Sequence, residues 1–232
     1  MTMLFTTSDW DAIRLVAFDV DGTLYRQSPL RRQITYDMAI YSILNRDLSV
    51  IRVLAKYRKI RERMADEQVV DFDRALIAET AQATATTTDT VRAIVAKWME
   101  QRPLSYLAGC RYPGLPDLFA GLRRNGKAIG ILSDYPSKAK LEALGLTADH
   151  IVSASDAGVG LLKPHPRGLE VLIAAAGVEP HQTILIGDRP ERDGLAARHV
   201  GAWALIRSSR PIEGWQNVTA FDDALFAPVL RR

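Results

Sequence analysis

Asp19 and Asp21, in Asp19-Val20-Asp21-Gly22-Thr23, are two carboxylates two residues apart at the end of an apolar run. A carboxylate can attack phosphorus in line and form an aspartyl phosphate, which splits one hard displacement into two easier ones. A second carboxylate so close resists simultaneous ionisation, the property an acid/base group needs. Far along the chain stand Ser133 in Leu132-Ser133-Asp134, Lys163 in Lys163-Pro164, and Asp188 and Asp193 in Gly187-Asp188-Arg189-Pro190-Glu191-Arg192-Asp193. A lysine can neutralise charge on a carboxylate and on a transferring phosphoryl group. Asp19, Asp188 and Asp193 together would make an oxygen-rich site for a hard divalent cation such as Mg²⁺. Gathered at one place, these groups suit chemistry on a phosphate. Singly they are weaker signals: a serine after a strand or a lysine in a loop is commonplace, and an aspartate opening a helix is an ordinary cap.

Buried strands must bring them together. Leu15-Val16-Ala17-Phe18 is an apolar run ending at Asp19, and Ala128–Leu132 ends at Ser133. Thr183–Ile186 ends at Gly187-Asp188, Ile151-Val152 reads as a short strand, and Ala202–Ile206 as a last one. Helices are expected between them over 116–124, 137–144, 166–176 and 195–200, with Gly145 and Gly177 as stops. Strands alternating with such helices imply an α/β fold, a parallel sheet with helices on both faces. Ligands of such sheets sit beyond the carboxyl ends of the strands, where all these groups fall. Between Gly22 and Gly109 there is no glycine, and between Pro29 and Pro103 no proline, so this stretch reads as a block of helices. Ile34, Met38, Tyr41, Leu48 and Ile51 fall near one helical face. One of Thr86, Thr87 or Thr88 should cap a helix, followed by a helix over 91–101. The expected organisation is a discontinuous core domain of residues 1–24 and 109–232, with an inserted all-α domain at 25–108.

Taken in order, these motifs resemble those of the haloacid dehalogenase superfamily, and the helical insert resembles its C1-type cap. The resemblance covers residues 15–193. It implies a Rossmannoid sheet, Asp19 as nucleophile, and Asp21 as the group that protonates the leaving oxygen and then deprotonates water. It implies Ser133 and Lys163 as further catalytic groups, with Gly22, Thr23, Ser133, Asp134 and Lys163 around the substrate phosphate. It implies Mg²⁺ held by Asp19, Asp188, the backbone carbonyl of Asp21, and Asp193 as ligand or supporting partner. A halide leaves unprotonated, so Asp21 favours phosphoryl transfer over dehalogenation. The expected activity is hydrolysis of a small phosphate monoester. A phosphomutase on the same fold, or a non-catalytic anion- or partner-binding protein, are the alternatives.

Composition is consistent with this. The chain has 232 residues, 47% hydrophobic and 25% charged, with a formal charge of +3, which does not by itself argue for nucleic acid. The lone Cys110 excludes an internal disulfide and fits a reducing, cytoplasmic setting. No signal peptide or membrane span is expected. Between Arg26 and Arg63 ten Lys/Arg face three Asp/Glu, an excess of seven positive charges, densest over 52–63. This is either a solvated helix face or a positive roof over an anionic substrate. Tyr25, Arg26 and Arg31 are the insert residues best placed to face the site, and Trp98, Tyr106 and Tyr112 are candidate walls. Arg189 and Arg192 read as partners of the acidic residues of their own loop or of the substrate, and His165 as a loop residue.

Overall fold

Leu15 to Phe18 are apolar at every position, as a strand covered on both faces must be, and they form the central strand, β1 (Leu15–Phe18). In the computed structural model, which describes residues 4–231, β1 lies within a six-stranded parallel sheet. The other strands are β2 (Ala128–Ser133), β3 (His150–Ser153), β4 (Thr183–Gly187), β5 (Trp203–Arg207) and β6 (Asn217–Val218), in the order β3-β2-β1-β4-β5-β6. Phe18 pairs with Ile131 on one side and Ile186 on the other. One residue further on, this register sets Asp19 level with Leu132 and Gly187. The three motif-bearing strands therefore end at one sheet edge.

Side chains of β1 alternate between two cores. Val16 and Phe18 join a large cluster with Ile129, Ile131, Ile184 and Ile186. Leu15 and Ala17 face a smaller one with Leu132, Leu169, Leu172 and Leu185. The sheet is thus covered on both faces, as the alternation of strands and helices predicts. Helices α6 (Leu115–Arg124) and α7 (Lys138–Leu144) serve the large core, and α8 (Arg167–Ala176) and α9 (Leu195–Val200) the small one. Phe18 is fully buried, with its ring 4.9 Å from that of Phe119. Truncating such a residue to alanine costs on the order of 3–5 kcal/mol. Strand β6 and a final short helix, α10 (Ala227–Leu230), have no counterpart in the sequence expectations.

Between β1 and α6 come α1 (Gln27–Asn45), α2 (Ser49–Asp66), α3 (Phe72–Thr84), α4 (Thr88–Val95) and α5 (Leu104–Cys110). The two crossings between sheet and helices run side by side: Arg26 N–H donates to the Cys110 carbonyl, and Tyr112 N–H to that of Leu24. The expected common face of Ile34, Met38, Tyr41, Leu48 and Ile51 is only half present. Ile34 is buried and Met38 and Tyr41 pack on the core, but Leu48 and Ile51 are 69% and 42% exposed. Arg46 takes a left-handed conformation (φ 50°) and ends α1, so the periodicity does not carry into α2. Thr87 is the cap of α4, its Oγ1 accepting from Thr90 N–H at 3.1 Å. The helix expected over 91–101 stops being α-helical at Val95 and continues as a π-helical turn, Ala96–Gln101, a form common at functional sites. Among the described residues no helix is long and apolar enough to cross a membrane. Residues 1–3 and 232 of the expected core lie outside the described residues.

Candidate active site

Asp19 follows β1 directly and is 6% exposed. Its Oδ1 accepts from Lys163 Nζ at 2.6 Å, and its Oδ2 from Thr23 Oγ1 at 3.0 Å. Both carboxylate oxygens are thereby held in fixed directions. Lys163 is itself fixed by Asp193, whose Oδ1 accepts from Nζ at 2.6 Å, and by the Asp134 carboxylate, which accepts from Lys163 N–H at 3.0 Å. Burial works against the Lys163 ammonium, but Asp19 and Asp193 outweigh it and hold Lys163 charged well above its ordinary range. Burial also pushes the Asp19 carboxyl well up; Lys163 opposes this, while Asp193, Asp188 and Asp21 add to it.

Asp19, Asp188 and Asp193 each offer a carboxylate oxygen, all within 4.8 Å of one another. Three carboxylates against the single Lys163 ammonium leave two negative charges, the balance a divalent cation neutralises. Asp188 Oδ1 is buried with no hydrogen-bond partner. Such an orphaned anionic oxygen is costly unless a cation meets it. Burial, with Asp193 beside it, raises the Asp188 carboxyl to about 7. An all-oxygen set with an unpartnered, repelled carboxylate fits a hard cation of the Mg²⁺ kind. Asp193 is less free: besides Lys163 it accepts from Arg189 N–H at 3.0 Å, so it supports the cluster while adding charge. The Asp21 carbonyl, the other expected ligand, accepts from Gln27 Nε2 and retains a second lone pair.

Two glycines make the crowding possible. A Cβ on Gly187 would lie 2.2 Å from Asp193 Cγ, and one on Gly22 would lie 2.0 Å from Asp188 Oδ2. Gly22 also has φ +103°, a conformation L-residues rarely adopt.

Asp21 lies on the cavity wall with Asp19. Lys140 Nζ, from α7, donates to both its oxygens at 2.6 and 2.8 Å, and Tyr25 Oη donates to Oδ1. Burial would raise the Asp21 carboxyl, but Lys140 overrides it and holds the group below the ordinary carboxylate range. The motif reading misses Lys140. Its one signal was position: it lies seven residues after Ser133, within the helix that leaves the second motif strand, and a lysine on that helix looks like surface. Instead it is 6% exposed.

Ser133 ends β2, 1% exposed, and its Oγ accepts from Tyr135 N–H at 3.2 Å, leaving its own O–H to donate. Ser133, Gly22 and Thr23 lie behind the cavity wall; Asp134 and Lys163 lie on it. His165 accepts from Arg167 N–H at 3.1 Å within its own loop, as a loop residue does.

Helix α2 closes the far side. Arg192 is 5% exposed and donates to Glu62 (3.0 Å) and Asp66 (2.6 Å), while Arg189 pairs with both oxygens of Glu62 at 3.0 Å. Both arginines are thus partners of acidic groups of α2, and Arg189 alone also pairs with an acidic residue of its own loop, Glu191, at 2.9 Å. Arg61, also from α2, is buried, donates to the Asp134 carbonyl, and lies 3.9 Å over the Tyr135 ring. The densest basic segment is therefore not simply a solvated face. The resulting cavity has a volume of about 730 Å³. Of the expected insert contacts, Tyr25, Arg31 and Trp98 line it, and Arg26 does not. Tyr106 instead bonds Asp37 at 2.7 Å, and Tyr112 packs against Phe221 and Arg207.

The sequence pattern of haloacid dehalogenase-like hydrolases matches residues 13–201. A phosphoglycolate phosphatase of Rhodospirillum rubrum is 28% identical over 219 residues, 90% of this chain and 87% of its own length. A hydrolase of the same superfamily from Bacillus subtilis, solved bound to magnesium, superposes with a TM-score of 0.67 at 13% identity, covering 90% of this chain and 96% of that one. A β-phosphoglucomutase of Clostridium difficile gives 0.60 at 16% identity, covering 90% and 92%. At these identities the two structures speak for the fold alone. With the family pattern spanning every motif strand, the chain belongs to the haloacid dehalogenase-like hydrolases.

Proposed function

We propose that the chain is a Mg²⁺-dependent phosphatase that hydrolyses phosphate monoesters through an aspartyl phosphate on Asp19. The observation that carries this reading is Asp21, a second carboxylate held at the same cavity wall. Halide departure needs no proton, whereas an alkoxide leaving group does, so an acid here belongs to phosphoryl transfer. The likeness to a named phosphoglycolate phosphatase supports the same class.

In this reading Asp19 Oδ bonds to phosphorus as the ester P–O bond breaks, and Asp21 gives a proton to the departing oxygen. Lys140 holds Asp21 ionised beforehand, so the proton arrives with the monoanionic form of the ester. Asp21 then takes a proton from water as that water attacks phosphorus, which frees Asp19 and inorganic phosphate. Lys163 holds Asp19 in line and balances charge; Ser133, behind the wall, orders the loop through Tyr135 N–H, and backbone N–H groups near Asp134 hold phosphate oxygens. Asp19, Asp188 and the Asp21 carbonyl would hold Mg²⁺, supported by Asp193. When bound, the ion would offset repulsion between these carboxylates and the anionic phosphate. Helices α1 to α5 act as a cap that excludes bulk water and selects the leaving group.

Asp19→Asn should abolish hydrolysis of para-nitrophenyl phosphate, and retained turnover by that variant would refute the reading. A mutase would instead return the phosphoryl group to a sugar phosphate; product analysis with a hexose phosphate separates the two.

A further inference from the structure

Building on the phosphatase reading above, we propose that the leaving group is a ring-bearing alcohol of nucleoside size with hydrogen-bond acceptors, not the two-carbon acid of phosphoglycolate. The cavity of about 730 Å³ lies well within the ~300–1,000 Å³ of pockets that enclose drug-sized ligands. It has this size with α2 already docked on the core through Arg192–Glu62, Arg192–Asp66 and Arg61–Asp134. A glycolate unit would leave most of it to water.

Leu30, Ile34 and Met38 of α1 face this cavity together with Trp98, Met99 and Pro103 of the π-helical turn and its exit. A carboxylate gains nothing from such surfaces. A flat ring does, because thioethers adapt to ring faces and edges, and an indole adds apolar area.

Six cationic side chains line the cavity, and four are committed: Lys163 to Asp19 and Asp193, Lys140 to Asp21, Arg189 to Glu62, and Arg192 to Glu62 and Asp66. Arg31 of α1 and Arg58 of α2 make no side-chain hydrogen bond or ion pair among the described residues. Arginine has donors only, so what it recognises is an acceptor. Two such forks from different helices, beside an apolar wall, suit the carbonyl edge of a heterocyclic base. Uridine and guanosine 5′-monophosphate are the probes of this class.

Binding is measured by calorimetry on the Asp19→Asn protein with Mg²⁺, so that turnover does not interfere. The expected result is that uridine or guanosine monophosphate binds at least tenfold tighter than 2-phosphoglycolate. Arg31→Ala or Arg58→Ala, both at exposed positions, should reduce that preference about tenfold. In the unsubstituted enzyme, kcat/KM should rank the nucleotides above both 2-phosphoglycolate and phenyl phosphate. Equal or tighter binding of 2-phosphoglycolate, or a preference unmoved by both arginine substitutions, overturns the proposal. If the unsubstituted enzyme hydrolyses none of these esters, the phosphatase reading falls, and the binding comparison still decides the ligand class.

Discussion

Asp188→Asn should make the metal-free protein more stable, not less. Asp188 Oδ1 is buried without a partner, and burial together with Asp193 lifts its carboxyl from the ordinary 3.8 to about 7. That difference is about 3 units at ~1.4 kcal/mol each, so ionised Asp188 opposes folding by roughly 4 kcal/mol at pH 8. The folded-state value lies above the unfolded one, so the folded protein holds the extra proton between about pH 4 and 7. The favourable contribution is complete below 3.8 and is lost as pH rises through about 7. Asparagine is neutral at every pH but inherits the unpartnered position, which returns ~1–3 kcal/mol of the gain. The net stabilisation at pH 8 should be about 1–3 kcal/mol, or roughly 2–12 °C in Tm at ~2–4 °C per kcal/mol for a chain of this length. At pH 5 the two proteins should draw together. Mg²⁺ should reverse the order, raising the Tm of the unsubstituted protein and not that of the variant. Thermal unfolding at pH 5 and 8, with EDTA and then with Mg²⁺, reads all of this. If Asp188→Asn lowers the Tm at pH 8 in EDTA, or Mg²⁺ stabilises both proteins equally, the assignment of Asp188 as a strained metal ligand is wrong.

Lys140→Met should cost on the order of 2–3 kcal/mol at pH 7 in urea unfolding, below the ~3–5 of a fully buried broken pair because the Asp21 side chain is 23% exposed. Asp21 sits below its ordinary value, so its contribution is present above about pH 4 and is lost as pH falls through the folded value. The deficit of the variant should therefore shrink at pH 3, and Lys140→Arg should restore part of it. Gly22→Ala should cost about 2 kcal/mol or more, because φ +103° disfavours a Cβ that would also meet Asp188 Oδ2 at 2.0 Å. It should also abolish stabilisation by Mg²⁺, whereas Gly158→Ala, at a positive-φ site with no atom within 4 Å, should leave that stabilisation intact.

Much of the sheet could be read in the chain because its strands are buried on both faces and appear as uninterrupted apolar runs. Leu15–Phe18 and Thr183–Ile186 needed no tertiary information, and neither did the glycines that end α7 and α8. Strand β6 escaped because two residues at a sheet edge carry no period. The face of Leu48 and Ile51 was misplaced because a left-handed Arg46 resets the helical phase, and arginine gives no warning of that conformation.

The site divides along the same line. Aspartates at strand ends declare themselves, since their polarity interrupts an apolar run where a parallel sheet presents its ligands. The sequence alone thus settled the family, the sheet and the edge at which Asp19, Ser133 and Asp188 would meet. It was silent on Lys140 and Arg61 and placed no partner of Arg192 on α2, because a long cationic side chain buries or exposes itself according to which carboxylate or ring a distant segment supplies. Lys140 met Asp21 across 119 residues, Arg61 met Asp134 across 73, and Arg192 met Asp66 across 126. Those meetings hold the Asp21 carboxylate ionised and dock α2 over the sheet edge, and among the described residues they leave Arg31 and Arg58 as the unpaired cations of the cavity. They depend on distances that only the folded chain sets.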